Sequence, residues 1–199
     1  MGMTCIYRRL PTSQLAELEQ DPEKALAYLN GVPGIDMDAM TQIMSDPEAI
    51  AEHGAELLAA FARAEDDPTR VDLEKDWHAL HFLLTGDSSL QPDGDPDDPL
   101  FRVVMGGEAT MLDASYGPAR KFDKAEIAQI VAALRPLTTE DLRERFSAEA
   151  FNEAGIYPEP YPGGWTLDEV EGLFDAFPKL QQLFEDALAT NEVVITYIN

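Results

Sequence analysis

The chain has 199 residues, a length typical of one domain, and 45% of them are hydrophobic, enough to bury a sizeable core. It carries 38 acidic against 14 basic side chains, which gives a formal net charge of −24. This excess of negative charge argues against a nucleic-acid partner or an anionic membrane surface, because both require clustered Lys and Arg. Two interpretations remain: solubility, which we favour, and a basic protein partner.

The amino-terminal residues give no sign of export. The single cysteine, Cys5, excludes an intrachain disulfide bond. The first nine residues lack the apolar core of a signal peptide. No apolar run of the sequence approaches the length that spans a membrane. The sequence therefore predicts a cytoplasmic protein.

The first third of the chain predicts one strand followed by helices. Residues 3–10 are β-branched and aromatic enough for a strand. A helical pattern begins near Thr12, and two more helices begin at Pro22 and Pro47, each preceded by an aspartate cap. We interpret residues 33–70 as a helical insertion.

Residues 72–86 predict a helix that ends at Gly86, because glycine adopts the left-handed conformation of a C-cap at little cost. Four apolar side chains spaced by three or four residues form one stripe that we expect to be buried: Leu73, Trp77, Leu80 and Leu84. A neighbouring sector of the same predicted helix carries Glu74, His78 and His81.

Two histidines and a carboxylate on one helical face are chemically suited to Zn²⁺ or Fe²⁺. The spacing differs from that of the H-E-x-x-H motif, and one helix rarely supplies a whole set of ligands. In the alternative interpretation His81 packs on Trp77 with one nitrogen hydrogen-bonded, while His78 and Glu74 are solvated. We favour this structural interpretation and predict neither a metal nor a cofactor.

The middle of the chain is irregular. Residues 87–99 are rich in Asp and Pro, and the EF-hand-like spacing within them lacks the required Gly and Glu, so we favour a solvated acidic loop. Residues 100–105 form an apolar run for which helix and strand are both open. Residues 113–121 are expected to be extended, with a turn at Gly117 and Pro118.

The last third predicts several helices. Asp123 and Glu126 have the spacing of a capping box, and Thr166 and Glu169 repeat it. The helix that follows the second box is expected to break or kink at Pro178.

Strand patterns lie at both ends of the chain, in residues 3–10 and 193–198, and near the middle. The predicted fold class is α/β with α+β character: a small mixed sheet that contains both terminal strands and is covered by many helices. Neighbouring terminal strands would satisfy two otherwise exposed edges. No internal repeat is visible, and from the chain length we interpret residues 1–199 as a single domain.

Five short motifs occur together in this chain: Met1-Gly2-Met3, W-x-x-L-H-x-L-L-T-G from Trp77 to Gly86, Met105-Gly106-Gly107, Tyr116-Gly117-Pro118-Ala119-Arg120 and Gly155-Ile156-Tyr157-Pro158. In this combination the chain resembles the YfbM-like family of bacterial domains of unknown function. The resemblance covers residues 1–10 and most of 71–198, whereas residues 33–70 match less well. It implies an α/β fold and a cytoplasmic bacterial protein, and it implies no reaction and no catalytic residue.

Seven polar or aromatic side chains are candidates for ligand binding: Trp77, His78, His81, Thr85, Arg102, Tyr116 and Arg120. Either arginine could bind an anion, although an internal ion pair is favoured because acids are so abundant. If the chain is an enzyme or a small-molecule-binding protein, we expect its pocket near His81, Thr85 and Arg120.

Two classes of function follow from these observations. The sequence has no G-x-S-x-G and no other visible catalytic motif. We therefore favour a non-enzymatic, acidic protein-binding module, with a toxin-neutralising or inhibitory role towards a basic partner. The alternative is the small-molecule-binding protein or enzyme with its pocket near the residues named above.

Overall fold

A five-stranded sheet lies at the centre of the computed structural model, which describes residues 2–30, 37–65, 67–89, 97–158 and 163–199. The strands in chain order are β1 (Cys5–Leu10), β2 (Arg70–Asp72), β3 (Glu108–Ala114), β4 (Gly117–Phe122) and β5 (Val193–Ile198). Their order across the sheet is β2-β1-β5-β4-β3. Every pairing is antiparallel. Of the predicted α/β class with α+β character, the structure therefore has the α+β form.

Helices fill most of the remaining described chain. They are α1 (Thr12–Gln20), α2 (Pro22–Asn30), α3 (Met37–Ser45), α4 (Pro47–Glu65), α5 (Trp77–Thr85), α6 (Pro99–Met105), α7 (Lys124–Leu134), α8 (Thr139–Arg145), α9 (Ala148–Ala154) and α10 (Glu171–Thr190). The run at 100–105, for which helix and strand were both open, is thus helical. No described helix is both long enough and apolar enough to cross a membrane.

The two terminal strands are neighbours in the sheet. β1 pairs with β5 along its whole length, from Cys5 opposite Ile198 to Leu10 opposite Val193. Backbone hydrogen bonds between Thr4 and Asn199 extend the pairing beyond the strands. The predicted fold, with both terminal strands in a small sheet covered by helices, is confirmed.

Helices cover both faces of the sheet. Successive side chains of a strand point to opposite faces, so one strand can contribute to a core on each side. Val194 of β5 joins Tyr7 and Phe184 of α10 in the larger core. The next residue, Ile195, joins Leu15 of α1 in a smaller core on the other face. The strands therefore supply apolar side chains to two cores at once.

The two predicted capping boxes have different outcomes. The carboxylate of Asp123 accepts hydrogen bonds from the first turn of α7, and Glu126 completes the box, so the first prediction is confirmed. The side chain of Thr166 makes no such bond, and a 3₁₀ turn, Leu167–Val170, follows it. The second box is wrong because α10 begins at Glu171, five residues beyond the threonine.

Of the predicted break or kink at Pro178, the break is wrong, because helix α10 continues through this residue. Proline removes one backbone donor from a helix, here the one that would bond to the carbonyl of Phe174. Phe174 and Phe177 before the proline and Leu180 after it are buried in the larger core. Both halves of the helix therefore contribute to the same core.

The helix predicted for residues 72–86 begins only at Trp77. Cys5 donates a backbone hydrogen bond to Glu74 and accepts one from Leu73, so this segment continues the pairing of β1. Glu74 has a positive φ of 49°, and the Asp72 carboxylate accepts its backbone N–H at 2.8 Å. Contacts with a distant strand thus replace the first helical turn, while Leu73 is still buried.

Helices α3 and α4 pack mainly on each other and form a hairpin, residues 37–65. None of their described side chains is buried. This α3–α4 hairpin occupies the region interpreted as an insertion at 33–70, of which residues 33–36 and 66 lie outside the described chain. Residues 90–96, most of the expected acidic loop, also lie outside it.

Candidate functional site

A cavity of about 460 Å³ opens at one end of the sheet. Its walls come from β1, β3, β4 and β5 on the sheet side, from α5 and the end of α6 on the helix side, and from the β3–β4 turn. The side chains that define its chemistry are Cys5, Trp77, Met105, Tyr116, Arg120 and Thr196. Among the described residues that line it there is no carboxylate, although the chain has 38 acidic residues.

Arg120 supplies the cationic group of this cavity. It shares a face of β4 with the core residue Phe122, while Lys121 lies on the opposite face and pairs with Glu108. The Arg120 guanidinium donates from Nε and Nη2 to the carbonyl oxygen of Gly107, at 3.2 and 3.0 Å. No described carboxylate lies within ion-pair distance of Arg120. Its Nη1 is therefore available to a ligand.

Gly107 is the backbone partner that holds this arginine in place. Its φ is +84°, and a Cβ there would lie 3.1 Å from both the Arg120 Cβ and the Lys121 carbonyl oxygen. A side chain at this position would therefore be strained and crowded. Glycine lets the loop after α6 approach β4 closely enough to fix the guanidinium.

Trp77 forms the helix side of the cavity. It is 3% exposed, and its Nε1 donates to the carbonyl oxygen of Met3 at 3.2 Å. The indole stacks on His78 and contacts the ring of Tyr157. Since these contacts hold it on three sides, Trp77 presents a rigid apolar surface to the cavity.

Cys5 and Thr196 form a small polar area on the sheet side. Their Sγ and Oγ1 atoms are 3.4 Å apart on the neighbouring strands β1 and β5. Burial raises the pKa of the Cys5 thiol to about 12, against the opposing effect of the Thr196 hydroxyl. The thiol is therefore neutral at physiological pH and is suited to contact rather than to nucleophilic attack.

His78 lies behind Trp77 and uses both of its ring nitrogens. Its Nδ1 accepts the backbone N–H of Tyr157 at 2.9 Å, so its Nε2 carries the proton and donates to the carbonyl oxygen of Ser88 at 3.0 Å. Burial lowers the pKa of this imidazole. The side chain is buried rather than solvated, which corrects the structural interpretation made from the sequence.

His81 of α5 is fully buried at the contact with α6, where its ring meets the ring of Phe101 edge to face, with 5.2 Å between the ring centroids. Neither nitrogen makes a well-formed hydrogen bond with a described group. Burial lowers its pKa, opposed in part by nearby groups that include Asp87 and the backbone of Ser89. His81 packs on Phe101 and not on Trp77 as expected, because the helix that carries it faces α6.

Thr85 and Arg102 serve local structure. The Thr85 hydroxyl donates to the carbonyl of His81 at 2.8 Å and accepts the backbone N–H of Asp87 at 3.0 Å, which ends α5. Arg102 bonds to the amide of Gln129 and lies 3.9 Å from the Glu126 carboxylate, so it joins α6 to α7. The contact between Arg102 and Glu126 is the internal ion pair that we favoured because acidic residues are so abundant.

The three side chains considered as metal ligands do not share one helical face. Glu74 lies in the turn before α5, whereas His78 and His81 are on the helix and engaged as described above. Within the described ranges, no group of three or more His, Cys, Asp or Glu side chains is arranged to hold a metal ion.

Asp76 is a further perturbed group near the start of α5. Burial, together with the charges of Glu74 and Glu169, raises the pKa of its carboxyl to about 6. Its side chain makes no capping hydrogen bond with α5. At neutral pH the Asp76 carboxylate is therefore ionised, and it accepts no capping hydrogen bond from α5 that would stabilise its charge.

The structure brings together three of the seven ligand-binding candidates, Trp77, Tyr116 and Arg120. The cavity is not lined by His78, His81, Thr85 or Arg102. Of the three residues around which a pocket was expected, His81, Thr85 and Arg120, only Arg120 lines the observed cavity. The lining residues that were not among these candidates include Cys5, Met105 and Thr196. One signal was present: a threonine at an inward position of an otherwise apolar terminal strand.

Comparison with known proteins agrees with this architecture. Protein YfbM of Escherichia coli (strain K12) is 37% identical over 103 residues, which are 52% of this chain and 58% of that protein. The structure described as "The Crystal Structure of a Protein of Unknown Function YfbM from Escherichia coli" has a TM-score of 0.58 at 22% identity, covering 98% of this chain and 99% of its own.

The sequence alignment with Protein YfbM thus spans less than two thirds of that protein, and the structural likeness shows the fold alone. The model of the family described as "Domain of unknown function (DUF1877)" matches residues 1–197. The resemblance to YfbM-like proteins is confirmed, and the chain belongs to the DUF1877 family.

Proposed function

We propose that the chain is a small-molecule-binding protein whose site is the cavity lined by Trp77, Tyr116 and Arg120. The observation that carries this proposal is a mainly apolar cavity of about 460 Å³ with a few polar groups directed into it. Ligand sites in proteins have this character, with volumes of roughly 300–1,000 Å³.

The groups in the cavity favour binding over catalysis. They are the neutral thiol of Cys5, the hydroxyls of Tyr116 and Thr196 and the guanidinium of Arg120, held among carbon surfaces, while the Tyr197 hydroxyl donates elsewhere, to the carbonyl of Leu29. Such groups orient a ligand by hydrogen bonds, but none of them is an activated nucleophile. We therefore place recognition, rather than a reaction, at this site.

Saturation-transfer NMR tests this proposal with benzyl alcohol, phenylacetamide and phenylacetate as probes. Ala109 is exposed on β3 directly opposite Arg120 and lines the cavity, so Ala109→Phe should fill part of the cavity without disturbing the core. Met111→Phe is the matched control, because Met111 is 81% exposed on the same strand. We expect binding that Ala109→Phe abolishes and Met111→Phe preserves. No binding of any probe to the wild-type protein would overturn the proposal.

A second function, the binding of a basic protein in a toxin-neutralising or inhibitory role, is favoured by a different surface. Glu48, Glu52 and Glu56 are exposed at spacings of four residues on α4. Like charges at this spacing repel along one side of a helix, and a basic partner would relieve the repulsion. A Glu48→Gln/Glu52→Gln/Glu56→Gln variant should then stabilise the free protein and weaken its binding to polylysine. Equal binding by both proteins would contradict this function.

A further inference from the structure

We propose that the ligand of the cavity is a small organic carboxylate, whose anionic group binds Arg120 and whose apolar body lies against Trp77. This inference rests on the proposed small-molecule function and specifies the chemistry of the ligand. It follows from three features of the cavity: its cation, the absence of carboxylates from its described lining, and its apolar remainder.

The geometry of Arg120 suits a carboxylate. Gly107 occupies one edge of the guanidinium through Nε and Nη2, which fixes the plane of the group. The terminal edge, with Nη1 and the second hydrogen of Nη2, has no partner among the described residues. A guanidinium edge matches the two oxygens of a carboxylate, and such charge-assisted pairs are roughly twice as strong as neutral hydrogen bonds.

Arg120 differs from most arginines of the described chain, although Arg145 likewise bonds to a backbone carbonyl, that of Leu83. Arg9, Arg70, Arg135 and Arg143 all have carboxylate partners within the protein. Arg120 instead bonds to a neutral carbonyl and faces a cavity without a described acidic lining residue. The net charge of −24 repels anions at long range, but screening reduces this repulsion beyond about 8 Å at physiological ionic strength. Among the described residues that line the cavity, Arg120 carries the only charged side chain.

The rest of the cavity suits the apolar part of the ligand. Trp77, Val104 and Met105 give carbon surface on the helix side, and Ile198 gives it on the sheet side. Tyr116 is 57% exposed at the β3–β4 turn and offers a hydroxyl at the entrance. A ligand with one anionic end and one apolar end would satisfy both parts of this surface.

A matched pair of probes tests the charge requirement in the wild-type protein. Phenylacetate and phenylacetamide have nearly the same shape, but only phenylacetate is an anion. Isothermal titration or NMR should give a Kd for phenylacetate that is roughly tenfold or more below that for phenylacetamide. Equal affinities would overturn the carboxylate inference and leave small-molecule binding intact. Failure of both probes while benzyl alcohol still binds would also overturn the carboxylate inference, whereas failure of all three probes would overturn the proposed function.

A matched pair of variants tests the assignment to Arg120. Arg120→Gln and Lys121→Gln remove the same charge from adjacent residues on opposite faces of β4. Arg120→Gln should remove the preference for phenylacetate, whereas Lys121→Gln should keep Kd within about twofold. Retention of the preference in Arg120→Gln, or its loss in both variants, would overturn the assignment. Because the probe pair needs no substitution, the inference stays testable if Arg120→Gln fails to fold.

Discussion

The imidazole Nδ1 of His78 accepts the backbone N–H of Tyr157 at 2.9 Å, which ties helix α5 to a loop 79 residues further along the chain. On its other side the same ring donates to Ser88. The ring thus supports Trp77, on which it stacks, from behind the cavity. This arrangement requires a neutral imidazole, because protonation of Nδ1 would replace its acceptor with a donor.

The neutrality of His78 predicts a pH dependence of stability. Burial lowers its pKa in the folded state below the ordinary 6.5, so the unfolded chain binds more protons as pH falls below that value. The stabilisation contributed by His78 is therefore present above pH 6.5 and is lost on acidification. We expect the stability advantage of the wild type over His78→Gln to shrink between about pH 7.5 and 5. Urea denaturation across this range measures it, and a constant or growing advantage would contradict the account.

The ionisation of Asp76 predicts a pH dependence of stability opposite to that of His78. Its folded pKa of about 6 is above the ordinary 3.8, so its ionised form destabilises the fold above pH 6. Asp76→Asn should stabilise the protein at pH 8 by about 1 kcal/mol, below the full linkage value because the carboxyl is partly exposed. The gain should vanish as pH falls through 6 towards 3.8. The exposed Asp175→Asn serves as the control in the same denaturation series, and destabilisation by Asp76→Asn at pH 8 would refute the prediction.

Trp77→Ala should destabilise the protein by about 3–5 kcal/mol, the range for truncation of a large buried aromatic side chain. Trp77 is 3% exposed and contacts the larger core, whereas Leu167 is 45% exposed. Leu167→Ala should therefore change the free energy of unfolding by less than about 0.5 kcal/mol. Chemical denaturation compares the two variants. Similar small losses in both would mean that the Trp77 site does not support the core.

The net charge of −24 predicts that salt stabilises the fold. Repulsion among like charges opposes the compact state, and added ions screen it. Raising sodium chloride from about 10 to 150 mM should therefore raise the melting temperature modestly. A falling melting temperature would mean that the surface ion pairs, such as Arg143 with Glu171, outweigh the repulsion.

Local signals made much of the fold predictable from the sequence. Asp123 and Glu126 mark the start of α7 because a capping box depends only on residues within one turn. The strand patterns at the two ends predicted β1 and β5, since alternation and β-branched residues act locally. The segment before Trp77 was mispredicted because its backbone bonds to Cys5, a contact that no local pattern contains.

The candidate site was less predictable for the same reason. Cys5, Trp77, Arg120 and Thr196 come from distant parts of the chain. The pairing of β1, β4 and β5 brings Cys5, Arg120 and Thr196 together, and the hydrogen bond from Trp77 to Met3 holds the helix beside them. Helical spacing instead drew attention to His81, whose ring packs edge to face on Phe101 where α5 meets α6. Periodicity predicts which residues share a face, but it does not predict which faces enclose a cavity.

The central claim, a carboxylate site beside Arg120 and Trp77, can be tested directly through the two tryptophans of the chain. Trp77 lines the cavity, whereas Trp165 is buried against Phe151 and donates its indole N–H to Ile156, away from the described lining. The indole N–H signals of a ¹⁵N-labelled sample therefore provide a reporter and an internal reference in one titration with phenylacetate. We predict a saturable shift of the Trp77 signal while the Trp165 signal stays unchanged. Absence of any shift of the Trp77 signal, or equal shifts of both signals, would contradict the account.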